Sequence, residues 1–259
     1  TIELKHIYRQ DNAKFIKILN EIRTNTLTQE STDELNKRYL PNFKPEEGYI
    51  ALTTHNIKAE RINNKELDKL NSKSFTYKAN VEGKFPEYSY PTEFELKLKI
   101  GAQVMFVKND PSSEKLFYNG KIGMITDIEE DTVFVRCPDD EEEIAVSSLV
   151  WENMKYSIDN NTAEIKEEVE GSFSQIPLKL AWAITIHKSQ GLTFEKAIID
   201  AGASFAHGQT YVALSRCKSL QGIILSSKIT GAGIICNQSV YQFNKNICAI
   251  DLVAYSLAI

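Results

Sequence analysis

Apolar positions along the chain change period repeatedly. Phe15, Ile18, Leu19 and Ile22 recur at helical spacing on one face, with Asp11 placed to cap the first turn. The pattern Ser31-x-x-Glu34 reads as a capping box announcing a second short helix. Residues 41–48 read as a loop, and the run YIALTT at 49–54 as a strand ending in a polar cluster. Ile57, Ala59, Ile62, Leu67 and Leu70 then return to the helical period. Strand, polar turn and helix in that order is the grammar of an α/β layer with its ligand edge at the strand's C-terminal end.

Residues 72–176 read differently. QVMFVKN, KIGMITDIEE, TVFVRCP and EEIAVSSLV are short strand-like runs separated by turn signals, with Tyr118-Asn119-Gly120 as a hairpin-type turn. This spacing predicts a small all-β barrel or sandwich. The acidic run 139–143 lies between strands with no histidine nearby and reads as a solvated loop. After Pro177 the α/β grammar resumes, with KAIIDA and GIILSS as strands and HGQTYVALSRCKSL as a helix. The expected organisation is therefore an α/β domain over 1–71, a β module over 72–176, and completion of the α/β domain with a tail over 177–259.

Composition narrows the function classes. Across 259 residues, 42% are hydrophobic and 25% charged, as in ordinary globular proteins. No apolar run approaches a membrane span and the N-terminus carries no secretory h-region, so no membrane partner and a cytoplasmic location are expected. The chain opens on Thr1 without an initiator methionine, which suggests a fragment or processed product. The net charge of −5 is unevenly spread. Residues 1–170 hold 23 basic and 32 acidic side chains, whereas 171–228 hold 6 and 2. A basic stretch inside an acidic chain is where an anionic ligand is to be sought, although chance segregation gives the same pattern. Cys137, Cys217, Cys236 and Cys248 show no CxxC spacing, so neither structural zinc nor a disulfide scaffold is expected.

Motifs for self-contained catalysis are missing. GxxxxGK[ST], HExxH, GxSxG and GxGxxG do not occur, and His6, His55, His187 and His207 form no i,i+4 pair. Three polar segments stand at the edges of the α/β strands instead. Thr185-Ile186-His187-Lys188-Ser189-Gln190-Gly191 offers hydroxyl, imidazole, ammonium and amide groups followed by a glycine, a set suited to phosphate and ribose oxygens and equally to a surface turn. Arg216 ends the apolar stretch Tyr211-Val212-Ala213-Leu214-Ser215, where a cation also suits a helix macrodipole. Tyr8-Arg9-Gln10 is unremarkable when taken alone.

Together and in this order, the segments are specific. YRQDNAKFIKILNEIR, ALTTHNIKAERIN, GAQVMFVKN…FYNGKIGMI, PLKLAWAITIHKSQGLTF and GQTYVALSRCKSLQGIIL resemble the C-terminal half of RecD/PIF-type superfamily 1 DNA helicases. The resemblance runs from Tyr8 to at least Leu225 and weakens after about residue 228. It implies a RecA-like parallel-sheet domain interrupted by a small all-β, Src-homology 3-like barrel. It further implies that Arg216 and Arg9 touch the γ-phosphate of ATP, that Gln190 and Gly191 lie beside the nucleotide, and that Thr185, His187, Lys188 and Ser189 couple nucleotide state to single-stranded DNA. Thr54 and Asn56 would meet the DNA backbone. The resemblance implies ATP with Mg2+ as ligands, bound mainly by the N-terminal RecA-like domain of the same parent chain, and 5′ to 3′ translocation. The phosphate loop and magnesium site precede the resemblance, so this fragment is not expected to hydrolyse ATP alone. A different class stays open: a catalytically silent module holding nucleic acid or protein, in which Arg9 and Arg216 are structural. A nuclease is disfavoured, because no Asp/Glu/His cluster has metal-site spacing.

Overall fold

The computed structural model describes residues 7–138, 140–158, 165–200, 208–230, 239 and 242. Along the chain the helices are α1 (Ala13–Thr24), α2 (Gln29–Asn36), α3 (Asn56–Lys69) and α4 (Gln209–Leu214). The strands are β1 (Tyr49–Thr53), β2 (Ser74–Lys78), β3 (Asn80–Gly83), β4 (Glu95–Lys99), β5 (Gln103–Phe106), β6 (Ile122–Ile128) and β7 (Val133–Arg136), followed by β8 (Ile144–Val146), β9 (Leu149–Ile158), β10 (Ile165–Gln175), β11 (Leu178–Leu180), β12 (Ala183–Thr185), β13 (Lys196–Ile199) and β14 (Ile223–Leu225). They form two compact units. The first comprises 1–45, 51–55 and 185–259, and the second 46–50 and 56–184.

The first unit carries β13 and β14, parallel neighbours in a four-stranded sheet of order β12-β1-β13-β14. Leu225 of β14 also bonds to the 38–40 segment, donating to Arg38 O and accepting from Leu40 N. Phe15, Ile18, Leu19 and Ile22 are buried on one face of α1, as their spacing predicts. The cap is Asn12 rather than Asp11: its side-chain oxygen accepts from Phe15 N at 3.0 Å, three residues on, and the helix starts one residue later than the pattern suggests. The second helix, by contrast, starts early. Thr28 caps it by accepting from Ser31 N, so Ser31 lies inside the first turn and is not the cap. Only Gln209–Leu214 of the stretch expected to be helical forms α4, and His207 lies outside the described residues.

Among the described residues the second unit is all-β apart from α3 and a single 3₁₀ turn. A five-stranded antiparallel sheet, β11-β5-β6-β7-β8, accompanies the ladders β3-β10-β9 and β2-β4. Leu96, Leu98, Val104, Phe106, Val133 and Leu178 are fully buried in its core, and Phe106 stacks on Phe117 with ring centres 4.4 Å apart. Helix α3 belongs here, because Leu67 joins this core. The turn at Tyr118-Asn119-Gly120 is present, closed by Lys121 N donating to Tyr118 O at 3.0 Å, with Gly120 at φ +99°. It does not close a tight hairpin. The connection from β5 to β6 spans 107–121, pinned by the Asp110 carboxylate, which accepts from Ser112 N and Leu116 N. The acidic stretch lies in the β7–β8 connection, where Asp140 pairs with Lys121. Strands β9 and β10 form a long antiparallel ladder that the turn spacing does not foretell.

Candidate functional site

Arg9, Thr193, Ser215 and Arg216 are far apart in sequence and meet in the first unit. Two short segments bring them together. Phe194 N donates to Arg216 O at 2.9 Å, and Lys218 N donates to Phe194 O at 3.2 Å, so residues 192–194 run alongside 216–218. Arg9 lies across both. Its Nε donates to Thr193 Oγ1 at 2.8 Å and its Nη1 to Ser215 O at 3.1 Å. The neighbouring Gln10 is buried and donates through Nε2 to Ser215 O at 3.1 Å and Cys217 O at 2.9 Å. Arg216 emerges just past the end of α4. It donates from Nε to Val212 O, from Nη1 to Leu192 O and from Nη2 to Ser215 Oγ.

A cavity of about 330 Å³ opens beside these groups. Arg9, Arg23 and Arg216 line it together with Gln10 and Ser215 and an apolar wall that includes Ile16 and Leu19, and among the described residues no carboxylate lines it. Burial first, and then the charge of Arg9, hold the Arg216 guanidinium below its ordinary pKa. Among the described residues neither Arg9 nor Arg216 has an ion-pair partner. Two like charges kept together without a counter-charge among the described residues suit an anion chemically, and guanidinium forks match phosphate oxygens. The lining therefore fits the phosphate end of a nucleotide. Among the described residues no cluster of His, Cys, Asp or Glu could hold a metal ion.

The segment that leads into Thr193 makes the second half of the site. Strand β12 ends at Thr185 and the chain turns through 186–191. Ile186 N donates to Thr53 O at 2.8 Å, which puts this turn beside the end of β1 at one sheet edge. Buried hydroxyls hold the turn. Ser189 is fully buried and its Oγ donates to Ile186 O at 2.7 Å; buried Thr185 accepts from Lys188 N through Oγ1 and from Ser189 N through its carbonyl. His187, Lys188 and Gln190 are exposed on it. Gly191 adopts φ +84° with open space where a Cβ would stand, so the turn needs glycine for its backbone and leaves room for a ligand. Thr54 is buried with Oγ1 2.8 Å from His55 Nδ1, and exposed Asn56 opens α3.

Geometry thus sorts the expected residues. Arg9 and Arg216 converge on the cavity; Gln190 and Gly191 lie on the sheet-edge turn with His187 and Lys188; Thr54, Thr185 and Ser189 are buried beneath that edge. Sequence reasoning missed Gln10, Thr193 and Ser215. Each stands next to, or two residues from, a residue that was singled out, inside YRQ, QGLTF and ALSR, and that adjacency was the available signal.

No family model matches the chain. It is 32% identical over 230 residues to the ATP-dependent DNA helicase Pif1 of Bdellovibrio bacteriovorus, covering 87% of this chain and 49% of that protein. It is 33% identical over 252 residues to the ATP-dependent DNA helicase PIF1 of Rattus norvegicus, covering 94% and 37%. The chain therefore spans half or less of the length of these curated relatives. Among solved structures, Pif1 from Bacteroides sp in complex with ADP-AlF4 superimposes with a TM-score of 0.84 at 40% identity, over 93% of this chain and 55% of that one. Bacteroides Pif1 bound to ssDNA matches with a TM-score of 0.66 at 40% identity, over 94% and 56%.

Proposed function

We propose that this chain, a homologue of part of the Pif1-type superfamily 1 DNA helicases, is the second motor domain of an ATP-dependent DNA helicase together with its β insertion. ATP with Mg2+ would sit between this domain and an N-terminal RecA-like domain of the same parent chain. That domain would supply the phosphate loop and the carboxylate for the metal, so the fragment alone does not turn ATP over. Arg216 and Arg9 serve as the arginines that meet the γ-phosphate and stabilise charge developing during its transfer. Gln190 and Gly191 approach the nucleotide.

Single-stranded DNA is held by backbone-type contacts that carry no sequence information. His187 and Lys188 offer them directly, with Asn56. Thr54, Thr185 and Ser189 shape the edge from which those contacts are made. Coupling follows from chain connectivity. The DNA-facing turn passes within two residues into Leu192 and Thr193, which accept hydrogen bonds from Arg216 and Arg9 respectively. A shift in phosphate contacts thereby reaches the strand through a short rigid segment, and cycles of closure and opening would drive translocation in the 5′ to 3′ direction. A cytoplasmic location is part of this reading. The described residues include no helix long and apolar enough to cross a membrane.

One observation carries the proposal: two guanidiniums that have no ion-pair partner among the described residues line the same cavity, and no described carboxylate lines it with them. The experiment is ATP hydrolysis by the full-length protein with and without single-stranded DNA, alongside Arg216→Ala. DNA-stimulated turnover that falls about 10³-fold or more in the variant, with DNA affinity retained, is expected. If the variant hydrolyses ATP like the wild type, a silent binding module replaces the motor.

A further inference from the structure

Both arginines of the cavity are held at the same two places, and Arg216 is held by Val212 O as well. Thr193 Oγ1 accepts from Arg9 Nε at 2.8 Å, and the adjacent Leu192 carbonyl accepts from Arg216 Nη1 at 3.4 Å. Ser215, which is 4% exposed, does the same from the other side. Its carbonyl accepts from Arg9 Nη1 at 3.1 Å, while its Oγ accepts from Arg216 Nη2 at 2.9 Å and donates to Val212 O at 3.0 Å. We infer that Thr193 and Ser215 are positioning residues that hold Arg9 and Arg216 at a fixed mutual spacing against their repulsion; this rests on the reading of the cavity as the γ-phosphate site.

Donor bookkeeping explains the need. A guanidinium has five N–H groups in a planar fork. Arg9 commits two of them, and Arg216 three, to the protein. The rest remain for a ligand. Which ones remain, and in which plane they lie, is set by the acceptors behind each fork. Without the Thr193 hydroxyl, Arg9 can pivot about its single remaining bond to Ser215 O. Without the Ser215 hydroxyl, Arg216 Nη2 loses its holding bond and its fork is kept by two backbone carbonyls alone. Either change misdirects donors whose effect on a transition state depends on placement to within about 1 Å, a displacement that costs on the order of 10²-fold in rate.

Thr193→Val removes the hydroxyl at nearly constant shape, and Thr193→Ser restores it. Steady-state kinetics on the full-length protein with saturating single-stranded DNA should show kcat lowered between about 10-fold and 100-fold in Thr193→Val, KM for ATP within about twofold, and most of the rate recovered in Thr193→Ser. Ser215→Ala should behave like Thr193→Val. The decisive arm is Thr193→Val in an Arg9→Ala background. No further loss is expected, because Thr193 acts through Arg9. Wild-type turnover with an unchanged Thr193→Val overturns the positioning inference and leaves the nucleotide-site reading standing. An undiminished effect of Thr193→Val in the Arg9→Ala background also overturns it. A wild type that hydrolyses no ATP removes the nucleotide-site reading itself. Thermal melts of each variant separate misdirection from misfolding, since loss of one hydrogen-bonded hydroxyl lowers the melting temperature by a few degrees at most.

Discussion

Gln10 reaches across the first unit to Cys217, donating to its carbonyl at 2.9 Å and to that of Ser215 at 3.1 Å. Its amide is buried, and both acceptors belong to the segment just after α4. It therefore fastens the chain next to Arg9 to the chain next to Arg216.

Gln10→Leu keeps the volume and deletes the donor. Ser215 O keeps its bond from Arg9, whereas this bond to Cys217 O is lost. An uncompensated buried carbonyl costs about 1 to 3 kcal/mol, so the urea midpoint should fall by that equivalent. Gln10→Glu should be worse, because a carboxylate would face two carbonyl oxygens. An unchanged midpoint in both variants would show that the bridge contributes nothing.

The contrast between Gln10 and Phe15 shows how far the sequence could be read. Phe15, Ile18 and Ile22 declare a buried helix face because periodicity is a local property. Gln10 declares nothing, since its partners lie more than two hundred residues away. The same distinction runs through the whole site. Arg9 and Arg216 were legible through the motifs around them, but the acceptors that hold them depend on how 192–194 lies along 216–218, which no spacing encodes. Ser189 read as a ligand group in a polar run; its burial against Ile186 O follows from tertiary packing. Caps slipped for a simpler reason. Asp11 and Asn12 are both good caps, and one residue of register decides between them.

Lys188 and Ser189 are adjacent and should separate cleanly in DNA binding. Lys188 is exposed on the turn, while Ser189 is buried with its hydroxyl donating inward. In fluorescence-anisotropy salt titrations of the full-length protein on an oligothymidylate, Lys188→Ala should weaken binding and lower the salt slope by about 0.7, the share of one phosphate on a single strand. Ser189→Ala should leave the slope alone and lower stability by about 1 kcal/mol. A slope that moves with Ser189 and not with Lys188 would reverse the assignment of the exposed face.

Two glycines give a second paired test, because the same added methyl meets opposite surroundings. At Gly191 a Cβ has open space but the backbone lies at φ +84°, so Gly191→Ala should cost about 1 kcal/mol through backbone strain alone. At Gly222 the backbone needs no special conformation, but a Cβ would stand 1.9 Å from Glu195 O beside β13. The sheet cannot give way there without parting β13 from β14, since Ala197 N donates to Gly222 O. Thermal denaturation should show a shift of a few degrees for Gly191→Ala and a gross loss of folded protein for Gly222→Ala.

Cys217 supplies a pH test of the packing behind the arginines. Burial first, and then the charge of Glu195, push its thiol up to about 12, with Arg216 opposing. The folded state therefore keeps this proton at pH values where the unfolded chain, near its ordinary value of about 9, has released it. Between these two values the native state binds more protons, and stability falls as pH rises. The contribution is complete below about pH 9 and is progressively lost toward about pH 12. Urea midpoints at pH 8 and pH 10.5 should diverge between wild type and Cys217→Ala, the wild type losing about 1 to 2 kcal/mol more across the interval. Equal losses would mean that the thiol is solvated, and that the close packing of 216–218 on Phe194 opens in solution.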